Sequence, residues 1–261
     1  MFFDTKNHLM YGTEPFCECA QDEDMAFCMA FEAYTQGCRF IMATPPSAAF
    51  LDALTDSEAE GIPASISERY KSLRSRIRYF LPKMELGLGC EITCSRSEVE
   101  NVIYHLKKKH LPTLNNSPYV LVSFPVDITR EDLWFCLDRL DKEGYHPVLS
   151  HAQNIYTLKH DIHEIKCLKG EAPRDAFYQF RCLIQLDTFS LHFSEDNSWP
   201  REIIRSGVVD VMATNARNTF TNPPHIREEI ESVSNICTPD YLQAITWGNA
   251  SWLFRPSAEG V

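Results

Sequence analysis

No run in this 261-residue sequence approaches the roughly 18 consecutive apolar residues that a membrane helix needs, so no membrane insertion is expected. The opening Met1-Phe2-Phe3-Asp4-Thr5-Lys6 has an acidic residue where an export signal would be basic, and no long apolar stretch follows. A cytoplasmic chain is expected. Positive charge is also scarce: 25 Lys and Arg stand against 36 Asp and Glu, a formal net charge of −11. That disfavours nucleic acid as a partner, because affinity for the phosphate backbone rests on clustered cations. The one basic cluster read from the sequence, Lys107-Lys108-Lys109-His110, ends an amphipathic segment, where cations complement the helix dipole in a solvated helix end. Zinc-ribbon spacing is missing from Cys17-Glu18-Cys19 and from Cys90-Glu91-Ile92-Thr93-Cys94. With no export signal, reduced thiols are expected. Cys28, Cys136 and Cys182 have apolar neighbours and read as small core residues. No cysteine phosphatase loop, Cys followed by five residues and Arg, is set between a strand and a helix.

What is present is alternation. Short apolar runs take turns with longer amphipathic ones, as in βα units around a parallel sheet. Strands are predicted at 2–4, 39–43, 85–93, 119–124, 147–151, 180–186 and 208–213. Helices are predicted at 22–37, 65–80, 97–110 (capped by Ser95 or Ser97), 129–144, 162–168, 199–206, 224–234 and 239–254. Thr129 with Asp132 reads as a helix cap. Trp247, Trp252 and Phe254 read as packing for the last helix or as an oligomer contact. About seven repeats without a linker point to one α/β barrel domain over 1–261. Chemistry in such barrels sits at the carboxyl ends of the strands. His8, Glu91 and His151 hold metal-ligand chemistry at those ends, although a lone histidine is more often a satisfied structural one.

The strand ends carry further pattern. Asp4-Thr5-Lys6-Asn7-His8 is followed by Gly12, then Thr44-Pro45-Pro46, Gly89-Cys90-Glu91 and Tyr119-Val120-Leu121-Val122-Ser123-Phe124-Pro125. Pro147-Val148-Leu149-Ser150-His151-Ala152-Gln153-Asn154 comes next, and Thr214-Asn215-Ala216-Arg217-Asn218 with Asn222-Pro223-Pro224 closes the series. In order and spacing these resemble the bacterial metal-dependent tyrosine phosphatases of the PHP superfamily, the capsule and exopolysaccharide type. The resemblance spans nearly the whole chain. It implies a distorted (β/α)7 TIM-like barrel, a multinuclear divalent metal cluster, and a tyrosine kinase or its phosphotyrosine tail as partner.

The departures fall on the chemistry. Carried over by position, only His8, Glu91 and His151 remain as metal ligands. Lys6, Pro46 and Arg217 stand where the family has histidines, and Ser123 and Asn215 where it has carboxylates. Asn154 and Asn222 replace arginines that would grip phosphate. An ammonium cannot ligate a metal, and neutral oxygens hold hard cations poorly. The resemblance thus implies no metal, or one weakly bound Mn or Zn, and an impaired phosphatase or pseudophosphatase regulating tyrosine phosphorylation in polysaccharide synthesis. The alternatives are an active phosphatase with a reduced, reorganised metal site, or an unrelated hydrolase using Cys90, Glu91 and His151. Lys6 or Arg217 is expected either to pair with Glu91 or, with Ser123 and Asn215 nearby, to hold a phosphate.

Overall fold

The computed structural model describes residues 1–14, 19–55, 59–172, 180–193, 198–224 and 226–254. Its β-rich, apolar runs pair side by side and parallel. Strands β1 (Phe2–Asn7), β2 (Cys38–Ala43) and β3 (Glu85–Leu88) form one sheet in that order. A second sheet runs β4 (Glu91–Thr93), β5 (Tyr119–Ser123), β6 (His146–Leu149), β7 (Leu183–Asp187) and β8 (Val211–Ala213). Isolated parallel bridges link the two sheets, Asn7 to Ala216 and Pro46 to Glu91.

The expected seven strands are therefore eight among the described residues, because the predicted strand 85–93 breaks at Gly89-Cys90. There the chain steps sideways: Gly89 N–H donates to Ala43 O, and Glu91 N–H donates to Pro45 O. A Cβ on Gly89 would lie 2.7 Å from Leu114 Cδ2, so only glycine lets the chain pass.

Helices lie between the strands in the predicted order. They are α1 (Glu23–Thr35), α2 (Ser47–Asp52), α3 (Ala64–Phe80), α4 (Val99–Lys107), α5 (Arg130–Lys142), α6 (Ile162–Lys169), α7 (Ser190–Phe193), α8 (Ser198–Arg205), α9 (Ile226–Val233), α10 (Pro239–Gln243) and α11 (Asn249–Leu253). The Thr129 cap forms: its Oγ1 accepts from Asp132 N–H at 3.1 Å. Neither Ser95 nor Ser97 caps α4; Glu98 stands at that position with no side-chain cap bond, because Ser95 Oγ donates instead to Glu98 Oε2. The predicted last helix is broken by a π-turn at Ala244–Gly248 between α10 and α11. Trp252 is 71% exposed, whereas Phe254 is buried.

Two cores result. The larger fills the space between strands and helices. The smaller collects Phe3, Met42, Leu121, Val148 and Val211, one residue from each of five strands, and is covered by Ala250 and Phe254. Phe3 stacks on Phe40 with ring centroids 4.1 Å apart. Cys136 and Cys182 are buried as expected, but Cys28 is exposed, because α1 turns Ala26, Met29 and Ala30 inward and leaves position 28 outside. His110, expected in a solvated helix end, is also buried, its Nδ1 2.9 Å from His105 Nδ1. Helix α4 stops at Lys107, and positive φ at Lys109 turns the chain back onto the core.

Candidate functional site

Strand β1 pairs with β2 to its last residue, Asn7, opposite Ala43, and every residue from Asp4 to His8, just past its end, is buried. The pleat sets Asp4, Lys6 and His8 to alternate from Thr5 and Asn7. Lys6 is fully buried. Its ammonium donates to Glu91 Oε1 at 2.8 Å and to Ser150 Oγ at 3.2 Å, and it touches His151 Nε2. Glu91 Oε1 also lies 3.3 Å from His151 Nε2. The other ring nitrogen of His151, Nδ1, meets the carboxylate of Asp187, which ends β7. Asp187 is held in turn by Gln185 Nε2 at 3.2 Å and Gln153 Nε2 at 3.5 Å.

This is a four-membered ionic chain, Asp187–His151–Glu91–Lys6, built at the carboxyl ends of β7, β6 and β1 and, for Glu91, where the chain leaves β3 and opens β4. Burial opposes ionisation of both Glu91 and Asp187. Lys6 and His151 nevertheless hold Glu91 well below the usual carboxylate range, and His151 and Lys6 hold Asp187 low. For His151, burial and the charge of Lys6 work against the imidazolium, but Asp187 and Glu91 prevail and raise its pKa to about 9. His151 adopts φ +55°, the left-handed region, which for a non-glycine residue costs ~1–3 kcal/mol and is retained where the surroundings dictate it.

His8 belongs to a separate arrangement. Its Nε2 lies 2.9 Å from Asn215 Oδ1 and its Nδ1 lies 2.7 Å from Glu14 Oε1. His8, Glu14 and Cys19 offer ligand atoms that all lie within 4.8 Å of one another. Cys19 is disulfide-bonded, contrary to the expectation of reduced thiols, so its sulfur becomes a ligand only on reduction. Cys17 lies outside the described residues.

Behind these groups Asp4 ties β1 to β8. Its Oδ1 accepts from Thr214 N–H at 2.9 Å, and its Oδ2 accepts from Thr214 Oγ1 at 2.5 Å and Asn7 Nδ2 at 3.0 Å. Complete burial outweighs these bonds and pushes its pKa up to about 6.

The structure thus brings Lys6, Glu91 and His151 together and sets His8 beside Asn215. It does not bring Arg217 to Glu91: Arg217 is half-buried and forms no side-chain ion pair or hydrogen bond among the described residues. Ser123 ends β5 half-buried, and its carbonyl accepts from Cys94 N–H. Pro46 caps the start of α2. Asn222 is buried and donates to Asn215 O, so it is not presented to an anion. Cys90 and Cys94 are buried, and burial raises the Cys90 thiol while Cys136 and burial raise Cys94, leaving neither as a ready nucleophile.

Sequence reading missed Asp187, Gln185 and Glu14. The predicted strand 180–186 ends one residue short of Asp187, which the structure places at the end of β7, and its position after that strand is the signal that marks it. Glu14 and Cys19 sit in a loop, where no periodicity marks them.

The residues present do not fit a multinuclear metal cluster. Glu91, Ser150 and His151 converge on an ammonium, which offers no lone pair and repels a divalent ion from the same point. The comparisons with known proteins set this against a family background. The family model described as capsular polysaccharide synthesis, CpsB/CapC, matches residues 2–255. "Tyrosine-protein phosphatase CpsB" of Streptococcus pneumoniae is 19% identical over 239 residues, covering 88% of this chain and 89% of that protein. "Tyrosine-protein phosphatase YwqE" of Bacillus subtilis is 26% identical over 215 residues, covering 77% and 73%. A crystal structure from work on YwqE and CpsB, described as metal-dependent tyrosine phosphatases, shares the fold with a TM-score of 0.77 at 22% identity, covering 98% of this chain and 95% of that one.

Proposed function

Because the chain belongs to the capsular polysaccharide synthesis CpsB/CapC family, we propose that it is a homologue of the capsular tyrosine phosphatases in which hydrolysis is lost or poor. It regulates tyrosine phosphorylation in polysaccharide synthesis by binding a partner, a tyrosine kinase or its tail. One observation carries this reading: the Lys6 ammonium stands among Glu91, Ser150 and His151, with Nζ 2.8 Å from Glu91 Oε1. Metal-assisted phosphoester hydrolysis needs an ion that lowers the pKa of its bound water and neutralises the phosphoryl oxygens. A single buried ammonium, its hydrogen bonds spent on protein atoms, supplies neither. The loss of carboxylates at Ser123 and Asn215 acts in the same direction, since clustered divalent ions need anionic ligands.

The test is turnover of a phosphotyrosine peptide with added manganese, beside a His8→Ala/His151→Ala control. No turnover above the control is expected. Metal-dependent turnover that disappears in the control would overturn the reading.

A second reading, an active phosphatase with a reduced and reorganised metal site, draws on the His8, Glu14 and Cys19 cluster. His, carboxylate and thiolate together suit zinc. Asn215 Oδ1 beside His8 Nε2 would leave Nδ1 as the ligating atom, as such outer contacts do in metal sites. Stoichiometry tests the ammonium-filled site, and turnover of the phosphotyrosine peptide with that zinc bound separates the two readings. After reduction with a dithiol, the chain is expected to take up at most one zinc, and His8→Ala is expected to remove it. Uptake of two or more ions, measured by competition with a chromophoric chelator, would rule out the ammonium-filled site.

A further inference from the structure

The chain's positive charge is unevenly placed. Between Arg69 and Lys83 lie six Lys or Arg residues and no Asp or Glu, in a chain whose formal net charge is −11. Two of the six serve the fold. Arg69 donates to the carbonyls of Tyr11 and Gly12, and Arg76 pairs with Asp24 while lying over the Phe27 ring. Arg74 is half-buried with its guanidinium over the Tyr70 ring, whereas Lys71 and Arg78 are exposed on α3, exposed Lys83 follows its end, and none of the four forms an ion pair among the described residues.

Large rings stand out beside these cations. Tyr79 is 79% exposed and Phe80 59%. Phe80 meets Tyr79 edge-on with centroids 4.8 Å apart, and Phe27 at 5.6 Å. The buried side of α3, formed by Ile66, Leu73 and Ile77, anchors the helix, and Tyr79 and Phe80 lie outside it.

We propose that this end of α1 and α3 is a docking surface for an anionic lipid bilayer. Aromatic side chains settle at the headgroup level of membranes, and each Lys or Arg near an anionic leaflet strengthens association about fivefold. The net negative charge of the chain does not prevent this. At 0.1 M salt, charges more than about 10 Å from the surface are largely screened, so the local patch governs. Charge complementarity alone would also suit an acidic protein. The combination of outward rings with unpaired cations favours a soft boundary between water and hydrocarbon, where both kinds of group are satisfied at once. The placement is consistent with access to the site: α3 ends at the amino end of β3, whereas Glu91 lies past the carboxyl end of β3, and Lys6 and His151 lie at the carboxyl ends of β1 and β6. A bilayer on this edge leaves the opposite face of the sheet ends open.

The test is co-sedimentation of the full chain with vesicles of phosphatidylglycerol and phosphatidylcholine, and with phosphatidylcholine alone. Binding to the anionic vesicles only, weakening with salt, is expected. Lys71→Glu/Arg78→Glu/Lys83→Glu is expected to weaken it by about a hundredfold or more. Tyr79→Ser/Phe80→Ser is expected to weaken it as well and to make the remainder more salt-sensitive. These five side chains are exposed, so unchanged melting temperatures would show that the variants fold. The proposal is overturned by absence of vesicle binding at low salt, or by equal binding of the charge-reversed variant. Binding to polyglutamate without vesicle binding, or self-association abolished by Tyr79→Ser/Phe80→Ser without vesicle binding, would overturn it in favour of a protein partner.

Discussion

Lys6→Ala is expected to lower the stability of the folded chain by about 3 kcal/mol or more, read from urea unfolding midpoints at constant slope. The reason is Glu91. Its carboxylate is buried, and Lys6 Nζ is 2.8 Å from Oε1. Removing the ammonium leaves a buried anion whose nearest remaining cation is His151, 3.3 Å away and already engaged by Asp187. Partial compensation by His151 places the effect toward the lower part of the roughly 3–5 kcal/mol range for broken buried pairs. The double change Lys6→Met/Glu91→Leu is expected to recover most of the loss, since replacing both charges removes the desolvation penalty together with the attraction. A Lys6→Ala chain as stable as wild type would show that the pair contributes nothing. It would also reopen the position to a metal ion.

Asp4 governs the second large effect. Asp4→Ala is expected to destabilise by about 3–5 kcal/mol, because Thr214 N–H and Asn7 Nδ2 lose their buried acceptor and a cavity opens between β1 and β8. The pH dependence has a definite sign. The carboxyl pKa rises from 3.8 to about 6 on folding, owing first to burial, so the folded chain binds this proton more tightly than the unfolded chain. Its contribution, about 3 kcal/mol by linkage, is fully present below pH 3.8 and is lost as pH rises through about 6. Asp4→Asn cannot titrate. The stability of wild type relative to Asp4→Asn should therefore decline between pH 4 and pH 6 and level off above, which thermal unfolding across that window would measure.

Both effects lie on β1, and they show where sequence reasoning reaches and where it stops. Helix and strand alternation was legible because burial imposes periods of 3.6 and 2, which survive in any sequence that builds this fold. The positions of Lys6, Glu91 and His151 at strand ends followed from the same alternation, and the Thr129 cap from local hydrogen bonding alone. The break at Gly89-Cys90 was not legible, because it depends on how closely Leu114 approaches from a distant segment. Nor was the outward position of Cys28, which depends on which side of α1 finds the strands. The exposed basic and aromatic stretch of α3 leaves no consecutive signature in the sequence, because its cations are spaced through a helix.

The sequence by itself determined the α/β class, the order of the elements and the set of residues brought to the strand ends, since these follow from local periodicity and chain order. Only the tertiary structure decided the pairing among those residues. It gave Glu91 to Lys6 and not Arg217, recruited Asp187 behind His151, and set His8 against Glu14 and Asn215. Polar groups separated by 85 to 207 positions in the chain meet within hydrogen-bonding distance only after the strands are in register, and that convergence decides whether a cation at the site is a metal ion or an ammonium.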